Sequence, residues 1–267
     1  MSTRKKIVLL YPRYHFQKIY HPWTWAPLPI LAVSAPLFAA GFEVVMIDAN
    51  VDPGWGKRVV DESRDALLLG ISCMTGPRIQ YGLEAARAVR EAGLKLPIIW
   101  GGYHPSILPD QTSQNEFVDA VVRGQGELTM LELANRLSQG EDITGVDGIT
   151  FTRDGETVTN PSRPVADINE FPRLPYEKLE NPMQYLNNMH VGTRAINYVS
   201  SQGCPARCQF CAEPLVYGRA WKAYKPERVL SDLEWLQSFM GANGVMYFDS
   251  TYFVKEKRPR AIHKGMI

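Results

Sequence analysis

Cys204, Cys208 and Cys211 stand in one short stretch, Ser-Gln-Gly-Cys-Pro-Ala-Arg-Cys-Gln-Phe-Cys-Ala-Glu, with the spacing C-x3-C-x2-C. Three thiolates this close together can each bind one iron of a cubic iron–sulfur cluster, because soft thiolates suit such clusters. A cube has four irons, and no fourth cysteine lies nearby. One iron would therefore stay open to an outside ligand, which turns an electron-transfer cluster into a reaction centre. A structural zinc site is the competing reading. It asks for four ligands, usually in two pairs, and His190 could supply the fourth. A disulfide would need an oxidising compartment, which nothing in the chain marks.

The elements that must position this loop are set by the bulk of the chain. At 267 residues it has the length of two domains. With 45% hydrophobic and 21% charged residues, it has the composition of an ordinary soluble globular protein. A net charge of +1 gives no global field that would argue for nucleic acid or an anionic membrane. The basic Met-Ser-Thr-Arg-Lys-Lys start is followed by an apolar run too short for a signal peptide. No stretch reaches the roughly 20 apolar residues of a membrane span. Four cysteines, three of them clustered, fit a reducing cytoplasm. Cys73 reads as a buried core thiol at a strand end.

Residues 1–140 alternate apolar runs with helix-like stretches. Strands are expected at 7–11, 42–49, 66–72, 97–100 and 118–122, and helices at 29–40, 78–92 and 127–137. Strands apolar throughout and separated by helices indicate a parallel sheet covered on both faces, a doubly wound, Rossmann-like layer. Ligands on such sheets sit beyond the carboxyl ends of the strands. Those ends carry Tyr11-Pro12-Arg13, Asp48-Ala49-Asn50, Ser72-Cys73-Met74-Thr75-Gly76, Gly101-Gly102-Tyr103-His104 and Gly124-Gln125-Gly126-Glu127. In residues 141–190, Asp154-Gly155 between Ile149–Arg153 and Glu156–Thr159 predicts a hairpin. Five prolines then punctuate an extended linker. In residues 191–267 a strand at 195–200 leads directly into the cysteine loop. A helix from Lys225-Pro226-Glu227 to about residue 239 and a strand at 244–248 ending at Asp249 follow. This is the start of a βαβ barrel, with chemistry at the C-terminal ends of its strands.

The cysteine loop, with Phe210 before the third cysteine, resembles the cluster loop of the radical S-adenosylmethionine (SAM) superfamily. The first domain resembles the cobalamin-binding domain that precedes the barrel in one branch of that superfamily. That likeness rests on Pro-Leu-Pro-Ile-Leu near residue 27, Val-Val-Met-Ile-Asp48-Ala, Gly70-Ile-Ser72-Cys-Met-Thr75-Gly76, Trp100-Gly101-Gly102-Tyr-His104-Pro105 and Val-Arg-Gly124-Gln-Gly126-Glu127. The fold it implies is α/β: a Rossmann-like cobalamin-binding domain followed by the first βα units of a partial TIM-type radical SAM barrel. The cofactors it implies are a [4Fe–4S] cluster on Cys204, Cys208 and Cys211, SAM chelated to the open iron, and cobalamin. The electron donor would be a reduced flavodoxin or ferredoxin, and the substrate a small molecule or a cofactor precursor. In the family, an electron from the cluster breaks SAM to a 5′-deoxyadenosyl radical, and cobalamin serves methyl transfer or oxidative ring closure.

On the corrin side, Ser72 and Thr75 would offer hydroxyls to the nucleotide tail, and Gly101, Gly102 and Gly124 would let backbone approach it. Asp249 could accept hydrogen bonds from the SAM ammonium. No catalytic residue is identified, and Arg207 is given no role. The chain departs from the family in two places. The cobalt-ligating string Asp-x-His-x-x-Gly of the wider cobalamin fold is absent, and none of His15, His21, His104, His190 or His263 has its context. Ser250 stands where relatives often carry a second Asp. No G-x-G-x-x-G follows the first strand, which argues against a nicotinamide cofactor. The aromatic run from Tyr11 through Tyr14, Phe16, Tyr20 and Trp23 to Trp25 could pack over a flat ligand or cover a sheet edge.

Two other functions compete: a non-catalytic cobalamin-binding or assembly module, and a methylthiotransferase-type radical SAM enzyme. The latter would carry more cysteines in the first domain. Because 63 residues follow Cys204, room for about two barrel strands, a truncated and inactive chain with poor order beyond about residue 190 is expected.

Overall fold

The computed structural model describes residues 5–15 and 23–266. It divides into two units, residues 1–19 with 29–164, and residues 20–28 with 165–267.

In the first unit, strands β1 (Lys6–Tyr11), β2 (Glu43–Asp48), β3 (Leu68–Ser72), β4 (Ile98–Gly101) and β5 (Ala120–Val122) pair parallel with one another. The helices between them are α1 (Leu28–Ala39), α2 (Trp55–Ser63), α3 (Pro77–Glu91), α4 (Tyr103–Ile107) and α5 (Pro109–Ser113), with α6 (Glu127–Gln139) after β5. Strands β6 (Ile149–Arg153) and β7 (Glu156–Thr159) pair antiparallel and attach to β5, so the sheet runs β2-β1-β3-β4-β5-β6-β7. The hairpin therefore extends this sheet. Its turn has positive φ at both Asp154 (52°) and Gly155 (82°), as a tight two-residue connection demands.

Strand residues alternate between two buried faces, which explains why the strands are apolar throughout. Val8, Leu10, Leu69, Ile71, Ile98 and Trp100 share one core with Val59 of α2 and with Ala85, Ala86 and Val89 of α3. Each such valine, leucine or isoleucine contributes about 1.5–3 kcal/mol. On the other face, a Cβ at Gly70 would lie 2.7 Å from Leu9 Cδ2 and 3.4 Å from Met130 of α6. The core accounts for Cys73, which is 2% exposed and packed with Ile71 and Trp100. Burial pushes its thiol up to about 12, against a smaller opposing pull from Arg78.

Several expected bounds move. The helix expected at 29–40 starts one residue earlier, with Pro29 in its first turn. The strand expected at 118–122 is confined to Ala120–Val122. Helices α2, α4 and α5 gave no periodic apolar signal long enough to read.

The second unit is built on a three-stranded sheet, ordered β12-β9-β8, of β8 (Asn187–Met189), β9 (Gly192–Tyr198) and β12 (Gly244–Tyr247). β9 and β12 are parallel, joined through α8 (Pro226–Met240), so this is one βαβ unit with an antiparallel strand on its edge. Between β9 and α8, β10 (Ser201–Gly203) and β11 (Trp221–Ala223) form an antiparallel ribbon that brackets the cysteine loop and the short helix α7 (Glu213–Tyr217). Helix α9 (Lys257–Gly265) closes the chain. Regular elements thus run through the region where partial disorder was expected.

Two buried asparagines hold the early segment of this unit. Asn187 accepts from Thr24 N at 2.7 Å and donates to Thr24 O at 2.9 Å. Asn197 makes the same pair with Ala26, 2.9 Å each way. Each carboxamide imitates the peptide of a neighbouring strand, and the alternate spacing of residues 24 and 26 is that of an extended chain. Trp25, between them, tilts onto Phe248 with ring centroids 5.0 Å apart.

Replacing Asn197 with Ala would leave both polar groups of Ala26 unpaired in the interior. We expect a loss of about 2 kcal/mol or more. It would be read as a lower urea midpoint at constant slope. Asn197→Asp, which can accept but not donate, should recover none of it.

Candidate functional site

The order β2-β1-β3-β4-β5 places the reversal of strand order between β1 and β3, where open parallel sheets bind ligands. At this edge Arg78, in the first turn of α3, lies 3.9 Å over the ring of Tyr11 and 5.6 Å over that of Tyr14, and donates to Tyr11 Oη at 2.5 Å. Arg13 turns the other way and donates to Ala49 O at 2.8 Å. Asn50 accepts from Tyr14 N at 3.1 Å and donates to Asp48 Oδ1 at 2.7 Å. Tyr11 and Tyr14 of the aromatic run therefore enclose a guanidinium. Phe16, Tyr20 and His21 lie outside the described residues.

The ends of β3, β4 and β5 are bound together more tightly. Cys73 N donates to Gly101 O at 2.7 Å, and Cys73 O accepts from His104 N at 3.2 Å. Between these bonds Gly102 has φ 97°, and a Cβ there would sit 2.6 Å from Cys73 O. Gly102 is needed for that contact. At Gly101 the nearest atom would be 3.7 Å away, an ordinary distance, so this position does not require glycine as Gly102 does. Ser72, at the end of β3, is in register with Gly101.

Thr75 Oγ1 lies 3.1 Å from His104 Nδ1, which commits its hydroxyl to the histidine. His104 is thus engaged within the loops. Burial holds its pKa below the ordinary histidine value. Gly124, with φ 70°, donates to Ser106 Oγ at 2.9 Å, and Ser106 Oγ donates to Gly102 O at 2.7 Å. Ser106 joins the two glycine loops, and the sequence reading missed it. Its only signal was a serine in the turn after Gly101-Gly102-Tyr103-His104-Pro105.

In the second unit the cysteine loop leaves β10 at Gly203. That residue has φ 78°, and a Cβ on it would lie 2.1 Å from Ala220 O, so glycine is obligatory before Cys204. Cys204 is half-buried, Cys208 and Cys211 are exposed, and all three thiols are free. Cys211 N donates to Cys208 O at 3.1 Å, which turns the loop between them. Among the described residues no set of three or more His, Cys, Asp or Glu side chains is gathered around a common point. The donor chemistry, three free thiols on one exposed loop, suits an iron–sulfur cluster that closes the loop on binding.

Asp249 is engaged within the fold. It accepts from Ser200 N, Ser200 Oγ and Ser201 Oγ, each at 2.6 Å, and so ties the end of β12 to the chain entering the loop. The buried Arg258 completes this junction, donating to Tyr224 O at 2.9 Å and to Ser200 O and Oγ at 2.7 and 2.8 Å. Ser250 donates to the buried Glu213 at 2.5 Å. A second aspartate at position 250 would set a carboxylate against that of Glu213, which gives the departure at this position a local reason.

With this geometry in view, comparisons with known proteins become specific. Residues 22–134 match the family model described as the B12 binding domain. An uncharacterized methyltransferase of Pyrococcus horikoshii is 29% identical over 196 residues, 73% of this chain and 42% of the relative. The anaerobic magnesium-protoporphyrin IX monomethyl ester cyclase of Rubrivivax gelatinosus is 24% identical over 97% of this chain and 46% of its own length. The chain thus spans less than half the length of these curated relatives.

In fold it is similar to the cobalamin-dependent S-adenosylmethionine radical enzyme OxsB with aqua-cobalamin and S-adenosylmethionine bound. The TM-score is 0.78 at 20% identity, covering 98% of this chain and 37% of that one. The radical S-adenosylmethionine methyltransferase TsrM of Kitasatospora setae, with cobalamin and a [4Fe–4S] cluster bound, gives 0.75 at 19% identity, covering 98% of this chain and 50% of that one. The resemblance to B12-binding-domain-containing radical SAM proteins holds in family match, relatives and fold alike. Among the described residues no helix is long and apolar enough to cross a membrane.

The two glycines separate a required conformation from a tolerated one. Gly102→Ala should cost about 2 kcal/mol or more through strain and the clash with Cys73. Gly101→Ala should cost less than about 1 kcal/mol. Thermal unfolding of the pair decides. His104 supplies a pH test. Its folded pKa lies below its unfolded value, so its contribution is complete above the ordinary histidine pKa and is lost as pH falls toward the lowered one. The urea midpoint should therefore fall between pH 7 and pH 5, and the fall should shrink in His104→Gln.

Proposed function

We propose that this chain is the cofactor-bearing part of a cobalamin-dependent radical SAM enzyme. It would act in the cytoplasm on a small-molecule substrate, with a flavodoxin or ferredoxin as electron donor. The observation that carries the reading is the position of the cysteine loop: it follows the first strand of a parallel βαβ unit, where barrel enzymes keep their chemistry.

Cys204, Cys208 and Cys211 would hold a [4Fe–4S] cluster with one iron left for SAM. When bound, the cluster supplies the electron for reductive cleavage of SAM, and cobalamin supplies methyl transfer or takes part in oxidative ring closure. This chain's residues set the stage for both. Gly203, Asp249 and Arg258 fix the strand end from which the loop springs. Gly102, Ser106 and Gly124 fix the sheet edge toward which a corrin would lie, with Ser72 and Thr75 beside it. The relatives' names favour methylation or ring closure as the reaction class. A methylthiotransferase is disfavoured, because the first unit has only Cys73, buried and with its thiol pushed up to about 12.

The test is made on the chain purified without oxygen, reconstituted with iron and sulfide, and incubated with hydroxocobalamin. About four irons per chain, lost in Cys204→Ala/Cys208→Ala/Cys211→Ala, with near-stoichiometric corrin, would support both halves. Corrin without iron would leave a cobalamin-binding module. Iron without corrin would reduce the first unit to a scaffold.

A further inference from the structure

One short turn holds the cysteine loop at both of its ends. Residues 249–251 lie just past β12, and each of them reaches a flank of the loop. On the entry side Asp249 accepts from Ser200 and Ser201, and Ser201 Oγ also lies 3.2 Å from Thr251 O. Thr251 O accepts from the indole of Trp221 at 3.2 Å, on the returning strand β11. On the exit side Ser250 Oγ donates to Glu213 at 2.5 Å. Glu213 is the second residue after Cys211 and the first of α7. The two limbs also meet directly, since a Cβ on Gly203 would lie 3.2 Å from Tyr217 Cβ at the end of α7.

The lengths involved give these bonds a purpose. The β10–β11 ribbon pairs Gly203 with Trp221 and by itself closes a loop of 17 residues, 204–220. The bond at Glu213 cuts the free segment to nine residues, 204–212, and all three cysteines fall inside it. A segment of nine residues with fixed ends loses less freedom on gathering around a metal than one of 17. The side chain of Glu213 is anchored in the interior, whereas Ser250 lies at the surface. Their contact has the length of a charge-assisted hydrogen bond. The thiols between the fixed ends are themselves free.

We propose that Ser250 and Glu213 are positioning residues for the thiol site: with Asp249 and Thr251 they form a clasp that joins the ends of the cysteine loop before any metal binds. They act through the cysteines, whose gathering costs less when the ends of the loop are already held. The clasp also explains why an exposed serine reaches for a buried glutamate. It ties the exit limb to the same turn that ties the entry limb, so the two cannot drift apart independently. The inference rests on the metal-binding reading of Cys204, Cys208 and Cys211 above.

The test compares Ser250→Ala, which removes the hydroxyl, with Ser250→Thr, which keeps it. Surface substitutions of this size leave folding nearly unchanged, so the urea midpoints of both should match that of the unsubstituted chain. Cobalt(II) is the first probe, titrated into the metal-free chain without oxygen and read by the thiolate-to-cobalt charge-transfer band. That band should vanish in Cys204→Ala/Cys208→Ala/Cys211→Ala. Cobalt affinity should fall about tenfold in Ser250→Ala, the usual effect of removing a partner just outside the ligands, and stay within about twofold in Ser250→Thr. In the second measurement, on the chain reconstituted with iron and sulfide, iron release to a chelator should be about tenfold faster in Ser250→Ala. Equal cobalt affinity in Ser250→Ala, failure of Ser250→Thr to retain it, or no thiolate–cobalt band in the unsubstituted chain would overturn the proposal. So would a urea midpoint that falls together with cobalt affinity, because the bond would then serve the fold and not the thiols. A chain that binds cobalt but assembles no iron would count against the cluster reading alone, and the cobalt comparison would still decide the clasp.

Discussion

Both backbone polar groups of Cys73 are consumed by the loop after β4, and this one close approach organises the ligand edge of the first unit. The amide goes to Gly101 and the carbonyl to His104, and between them the chain passes so near that Gly102 can carry no side chain. From that contact the other bonds follow. The carbonyl of Gly102 receives Ser106, Ser106 receives the amide of Gly124, and Thr75 meets His104. Three strand ends that would otherwise move as separate loops are held as one rim.

The second unit reaches the same end by other means. Here charged side chains set the backbone. Asp249 takes the amide and hydroxyl of Ser200, Arg258 takes its carbonyl, and the ribbon that carries Cys204 begins at the next residue. A carboxylate and a guanidinium acting on opposite sides of one residue resist displacement better than neutral bonds. The flexible thiol loop therefore starts from a fixed origin.

Much of this was legible in the sequence. Unbroken apolar strands announce a parallel sheet, and Asp154-Gly155 a tight hairpin. Gly102 was found because glycine pairs at strand ends are conspicuous. Its neighbour Gly101 was credited with the same role, since a sequence does not say which of two glycines faces the neighbouring backbone. Ser106 and Arg258 escaped notice because their work is to bond main-chain carbonyls, which have no identity in the sequence. Asp249 was located at the right strand end, and its bonds escaped notice for the same reason: serines 200 and 201 come from a strand end 49 and 48 residues away. The strands β8, β10 and β11 are three residues each, too short for any periodicity to show.

The asparagine bonds to residues 24 and 26 have a bearing on biosynthesis. Asn197 and Ala26 are separated by 171 positions. On a ribosome adding about 5–20 residues per second, the early segment would wait roughly ten to thirty seconds for its partner. Residues 29–164, which make up the rest of the first unit, emerge in that interval and can fold meanwhile. Their folding removes most of the freedom of the intervening loop before it must close. The second unit is thus discontinuous in the gene. A clone starting at residue 165 would leave Asn187 and Asn197 without their strand, whereas a circular permutant that joins residues 20–28 to that unit would restore it.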